Sequence, residues 1–190
     1  MDISREPETS PGLSPAQQKR LLQIARTAIE HYLAFREVAP CAEEDEALLQ
    51  PAGAFVTLRE IDGVRGCVGM IRARGPLCIA VRDMAIAAAC QDPRCRPVTR
   101  EELPELAIEI SVLSPLRRVS SPDEIDVNFH GVVVESGGNS GVFLPQVARS
   151  HGWTRDVLLD ELCEHKAGLP PGAWKRGAAL YTFTVQEIHE

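Results

Sequence analysis

One cysteine in this chain stands in a setting suited to chemistry. Cys67 lies within Arg65-Gly66-Cys67-Val68-Gly69, on the second of two alternating strand-like runs that flank Asp62-Gly63. Asp-Gly between β-rich runs predicts a two-residue type I′ turn. That turn pairs Ile61 with Val64, Glu60 with Arg65, Leu58 with Cys67 and Phe55 with Met70, so Arg65 and Cys67 share a strand face. A nucleophilic or redox cysteine needs positive charge nearby and open access. Arg65 offers the first, and Gly66 and Gly69 offer the second, because a strand glycine weakens its strand and marks a place where a backbone or a ligand comes close. The alternative is a hairpin thiol packed against Leu58 among apolar neighbours.

Further candidates lie along the chain. His130 precedes a glycine at the start of a strand-like run, and its imidazole is the general base that a thiol nucleophile requires; the alternative is a histidine bonding backbone at a strand edge. No Asp or Asn is placed by spacing to complete a triad. Asp92-Pro93-Arg94 reads either as a helix stop whose carboxylate satisfies loop N–H groups or as a site where Arg94 holds an anion near the hairpin. Gln146 after Pro145 presents an amide to a ligand or fixes its own loop. Lys166 closes a helical pattern, where the helix dipole favours a cation whatever its function.

These blocks resemble the AMMECR-type domain family. The resemblance rests on VTLRE followed by RGCVG, then Ala88-Ala89, Asp92-Pro93-Arg94, EISVL at 109–113, His130-Gly131, LPQVA at 144–148 and KAGL at 166–169, in colinear order over residues 20 to 190. It implies an α+β fold, mainly antiparallel, with a larger and a smaller lobe. For a single-domain chain of this size it also implies an accessory component that works with a Memo-like protein and a radical S-adenosylmethionine enzyme. His130 matches the family pattern. The resemblance supplies no reaction, so three functions stay open. They are presentation of an anionic small molecule or peptide in a cleft beside Cys67, a cysteine-dependent transferase or hydrolase using Cys67, His130 and Arg65, and a scaffold without chemistry. The chain departs from the family pattern at Cys95, where an aromatic residue usually follows Asp-Pro-Arg, at Asn128, and at Ile188-His189 near the C-terminus.

Composition narrows the field. At 190 residues, with 44% hydrophobic and 25% charged residues, the chain has the make-up of one globular domain able to bury a sizeable core. No run reaches the roughly 18 apolar residues of a membrane helix, and MDISREPETSPGLSP carries neither a signal-peptide nor a transit-peptide pattern; the expected location is cytoplasmic. The six cysteines (41, 67, 78, 90, 95, 163) form no CxxC pair, so neither zinc nor an iron–sulfur cluster is read from them, and no cofactor is assigned. Cys78, Cys90 and Cys163 fall in helical apolar patterns and read as small hydrophobes. Net charge is −7, yet residues 59–100 hold eight arginines against four acids, a local +4 that leaves −11 for the remainder. That excess is either a solvated surface or the receiver of an anion or an acidic partner. Overall acidity and few aromatic residues disfavour nucleic acid.

The elements that position these residues follow from pattern. Residues 1–13 read as a loose polar tail, followed by a single domain over 14–190. Ser14-Pro15-Ala16-Gln17 is a capping box opening a helix to about Val38, and 39–52 is an acidic loop leading to the hairpin. An alanine-rich helix runs from Pro76 to about Gln91 and stops at Asp92-Pro93. Thr99 to Glu102 caps a short helix. Strands are expected at 107–113, 132–135, 141–144 and 180–186, with a last helix over 154–166 ended by Gly168. Hairpins separated by helices, without a βαβ repeat, predict an α+β fold with mainly antiparallel sheet.

Overall fold

The computed structural model describes residues 12–190, so most of the expected tail lies outside the described residues. Leu13 is buried and tied at both backbone groups: its N–H donates to Gln186 Oε1 at 3.0 Å, and its carbonyl accepts from Gln18 Nε2 at 2.8 Å. The fold is α+β, as the patterning predicts, and the chain forms two compact units.

The first unit takes the described residues up to Leu113 and adds Gln186–Glu190. Helix α1 (Pro15–Phe35) starts at the Ser14–Gln17 capping box and ends three residues earlier than the pattern predicts, because Arg36 takes a left-handed conformation (φ 60°) and its N–H caps the Tyr32 carbonyl. The acidic loop contains a single helical turn, α2 (Glu46–Leu49), capped by Asp45. Strands β1 (Gly53–Glu60), β2 (Gly63–Met70), β3 (Ala107–Leu113) and β8 (Val185–His189) form a sheet in the order β2-β1-β3-β8, placing β2 at an edge. Alternate residues Ala54, Val56 and Leu58 of β1 and Ile108, Ile110 and Val112 of β3 are buried with the apolar faces of α1 and α3 (Leu77–Cys90) in one core. The small residues Ala85, Ala88 and Ala89 let α3 lie close against the sheet.

The hairpin differs from its predicted register. Glu60 pairs with Gly63 and Arg59 with Val64, so Ile61-Asp62 form the turn, and the pairing then shifts so that Leu58 faces Gly66 and Thr57 faces Cys67. Arg65 is the extra residue of a β-bulge. A bulge leaves one residue out of the ladder and re-aims its side chain, which is how an arginine on this hairpin comes to be only 6% exposed.

The second unit spans Ser114–Val185. Its sheet has the order β4-β7-β5-β6, built from β4 (Arg117–Val119), β5 (Gly131–Ser136), β6 (Asn139–Phe143) and β7 (Ala179–Phe183). The single closing strand expected at 180–186 is thus two strands in two sheets. Helix α4 (Pro145–His151), which the pattern leaves as loop, begins with Pro145 in the first turn, and α5 (Arg155–Glu161) continues into a π-turn over Leu162–Lys166. Val132, Val134, Leu158, Leu159, Leu162 and Cys163 form this unit's core.

Candidate functional site

Cys67 is half-buried on edge strand β2. Its cross-strand partner is Thr57, whose hydroxyl donates to Cys67 Sγ at 3.0 Å. Phe55 and Thr57 alternate with the core residues of β1, so they and the thiol share the sheet face away from α3. Phe55 pairs with Gly69 and its ring lies over that glycine; a Cβ there would stand 2.2 Å from ring atoms. The space at Gly69 is therefore filled by an aromatic side chain, a recurring way of stabilising a strand glycine.

Both backbone groups of Cys67 turn to the open edge, where a side-chain pair takes the place of a neighbouring strand. Asp92 Oδ2 accepts the Cys67 N–H at 2.9 Å, and Arg94 Nη2 donates to the Cys67 carbonyl at 2.8 Å. Asp92 and Arg94 also bond each other, Nε to Oδ1 at 2.9 Å and Nη2 to Oδ2 at 2.7 Å, while Asp92 Oδ1 accepts the Arg94 N–H at 3.1 Å. Asp92 is 5% exposed, and the Arg94 side chain is 65% exposed. The guanidinium and the two backbone N–H donors hold the Asp92 carboxyl well below the usual carboxylate range against the opposing effect of burial, and the carboxylate raises Arg94 in turn. The helix-stop reading of Asp92 and the anchoring of the thiol strand thus describe one interaction. Covering an edge in this way also blocks strand addition at Cys67.

Arg65 does not provide the charge beside the thiol that the predicted register assigns to it. Its Nη1 donates to the Arg96 carbonyl at 2.7 Å, and its Nη2 to the Pro97 carbonyl at 3.2 Å and to Glu102 at 3.4 Å, fixing the loop that follows α3. Glu102 also pairs with Arg96, and Arg59 with Glu109 at 2.5 Å. Acids just past residue 100 therefore meet part of the local positive excess. Gly66 admits an internal neighbour: a Cβ there would stand 2.2 Å from the Ala88 carbonyl oxygen of α3.

The remaining candidates belong to the second unit. His130 Nδ1 accepts the Asp126 N–H at 2.9 Å, so the proton of a neutral ring sits on Nε2. Asn128 stays out of the left-handed region; Arg36 is the single non-glycine residue with positive φ among the described residues. Gln146 lies in the first turn of α4. Lys166 ends the π-turn with Nζ 5.3 Å from the Phe143 ring centroid, and its Cβ packs where Gly141 has no side chain. The structure brings Cys67, Asp92 and Arg94 together in the first unit and holds His130, Gln146 and Lys166 in the second. Thr57 is the site residue that sequence reasoning missed. Its signal was present, a polar residue among outward positions of β1, but the unrecognised bulge moved Leu58 into its place.

The α+β fold is shared with a protein of known structure, and comparison identifies the class to which the chain belongs. The chain belongs to the AMMECR1 family, whose model matches residues 22–188. It is 38% identical over 182 residues to Protein PH0010 of Pyrococcus horikoshii, covering 90% of this chain and 88% of that protein. It is 36% identical over 178 residues to Protein MJ0810 of Methanocaldococcus jannaschii, covering 89% and 88%. The crystal structure of uncharacterized protein PH0010 superposes with a TM-score of 0.83 at 36% identity, covering 90% of this chain and 89% of that one. Among the described residues no helix is long and apolar enough to cross a membrane.

Proposed function

We propose that this protein is a cytosolic accessory component that acts with a Memo-like protein and a radical S-adenosylmethionine enzyme, and that it binds an anionic small molecule or peptide beside Cys67. Membership of the AMMECR1 family supports the partners. The observation that carries the binding site is the Cys67–Arg94 contact. A cysteine whose thiol accepts a hydroxyl hydrogen bond has its backbone carbonyl held by a largely exposed guanidinium, and that guanidinium is held in place by a buried carboxylate. Asp92 and the Cys67 carbonyl take up Nε and Nη2 of Arg94, which leaves Nη1 to meet a carboxylate or phosphate oxygen, and the edge of β2 is tied down at the Cys67 backbone.

The test is co-purification of the tagged chain from its own host. Recovery of the Memo-like protein and the radical S-adenosylmethionine enzyme with the unmutated chain, and loss of both with Cys67→Ala, is the expected result. Recovery of neither partner with the unmutated chain would refute the assignment.

A further inference from the structure

A second pair of thiols lies away from Cys67, within the first unit. A cavity of about 260 Å³ opens between α1 and the segment 39–42, lined by Arg20, Thr27, Ala28, Pro40, Cys41 and Arg82. Cys41 is partly exposed and packs against the core cluster that contains Cys78, which is 1% exposed in the first turn of α3. Two features fix this neighbourhood. Arg82 stands one helical turn after Cys78, on the same face of α3, and its Nη1 donates to the Ala39 carbonyl at 3.2 Å, two residues before Cys41. Arg20 pairs with Glu43 at 2.8 Å, two residues after Cys41. The segment carrying Cys41 is thereby tied before the cysteine to α3, the helix that carries Cys78, and after it to α1. Burial, and then the Cys78 thiol beside it, push the Cys41 thiol up, with Arg82 opposing; Cys41 stays protonated at neutral pH and gains reactivity as pH rises.

We propose that Cys41 and Cys78 are a redox-active thiol pair, closed to a disulfide by exchange with a low-molecular-weight disulfide that enters this cavity. The deprotonated sulfur of Cys41, the member that reaches the cavity, attacks one sulfur of the small disulfide. A Cys41–small-thiol bond forms, and one small thiolate leaves and takes up a proton. The Cys78 sulfur then attacks Cys41 Sγ, forming the internal bond and expelling the second small thiolate. The protein pair loses two electrons and two protons, and the small disulfide is reduced to two thiols. No member of this pair takes part in the Cys67 site.

The test treats the whole chain at pH 8 with oxidised glutathione and maps every cysteine by mass spectrometry of unreduced peptides. The expected map joins Cys41 to Cys78, with a rise in melting temperature that dithiothreitol reverses. Cys78→Ala is expected to stop at a glutathione adduct on Cys41, and Cys41→Ser to leave Cys78 unmodified. The map of the unmutated chain decides the matter even if a variant folds poorly. A glutathione adduct persisting on Cys41 with Cys78 intact, a bond from either residue to another cysteine, or an unreacted Cys41 would overturn the proposal.

Discussion

The buried carboxylate of Asp92 holds the backbone of Cys67: Oδ2 accepts the cysteine's N–H at 2.9 Å across 25 positions of sequence, and Arg94, bound to the same carboxylate, closes the contact at the cysteine's carbonyl. One ion pair thus fixes the turn after α3 and the strand that carries the thiol. Displacing either residue displaces the other.

That linkage makes stability depend on acid. The folded-state Asp92 carboxyl is held below its unfolded value by Arg94 and by the N–H groups of Cys67 and Arg94. Its contribution is therefore fully present above the unfolded value of about 4 and is lost as pH falls below it toward the folded value. Asp92→Asn is expected to cost about 2–4 kcal/mol at neutral pH, through broken charge-assisted bonds around a buried group. It should also flatten the acid side of the stability curve. Urea unfolding at pH 7 and at pH 3 measures both; a variant with the unmutated chain's loss of stability between the two pH values would contradict this role.

Gly66→Ala is expected to destabilise the first unit by about 1–3 kcal/mol, the usual range for overpacking. The added Cβ meets the Ala88 carbonyl oxygen at 2.2 Å, a backbone atom that a rotamer change cannot move aside. Gly137→Ala, where the Cβ meets nothing within 4 Å but φ is +57°, is the comparison for backbone strain alone. Thermal unfolding of the two variants separates the effects, and a Gly66→Ala protein as stable as the parent would show that α3 can retreat.

Thr57→Val keeps a β-branched side chain on β1 and removes the hydroxyl that donates to Cys67 Sγ. A hydroxyl donor stabilises the charge on the sulfur as it attacks an alkylating agent, and one hydrogen bond worth about 0.7–1.4 kcal/mol corresponds to about three- to tenfold in rate. Iodoacetamide labelling of Cys67 at pH 7.5 should slow about three- to tenfold in the variant, with the melting temperature little changed. Equal rates would place the hydroxyl outside the thiol's chemistry.

Fold class and most elements were legible in the sequence because each carries a local signal. The Ser14–Gln17 box, the alternation of β1 and β3 and the alanine-rich α3 all depend on neighbours within a few residues. The hairpin register was not, since Arg65 becomes the bulge residue only when carbonyls at 96 and 97 and the carboxylate of Glu102 receive its guanidinium. Helix α4 was hidden because Pro145 reads equally as a loop residue and as the first residue of a helix. Cys67, Asp92 and Arg94 were each visible as candidates. Their union was not, because a contact between an edge strand and the turn after a helix leaves no periodic trace.

The central claim is that the face carrying Cys67 and Arg94 is where this protein meets what it works with. The direct measurement is the rate of Cys67 alkylation at pH 7.5, resolved by residue, with and without the purified Memo-like protein and radical S-adenosylmethionine enzyme. Cys67 is expected to label faster than the buried Cys78 and Cys163 in the free chain, and to be protected about tenfold or more when both partners are present at saturating concentration. Cys67 labelling that is unchanged by the partners, or that appears only after denaturation, would contradict the account.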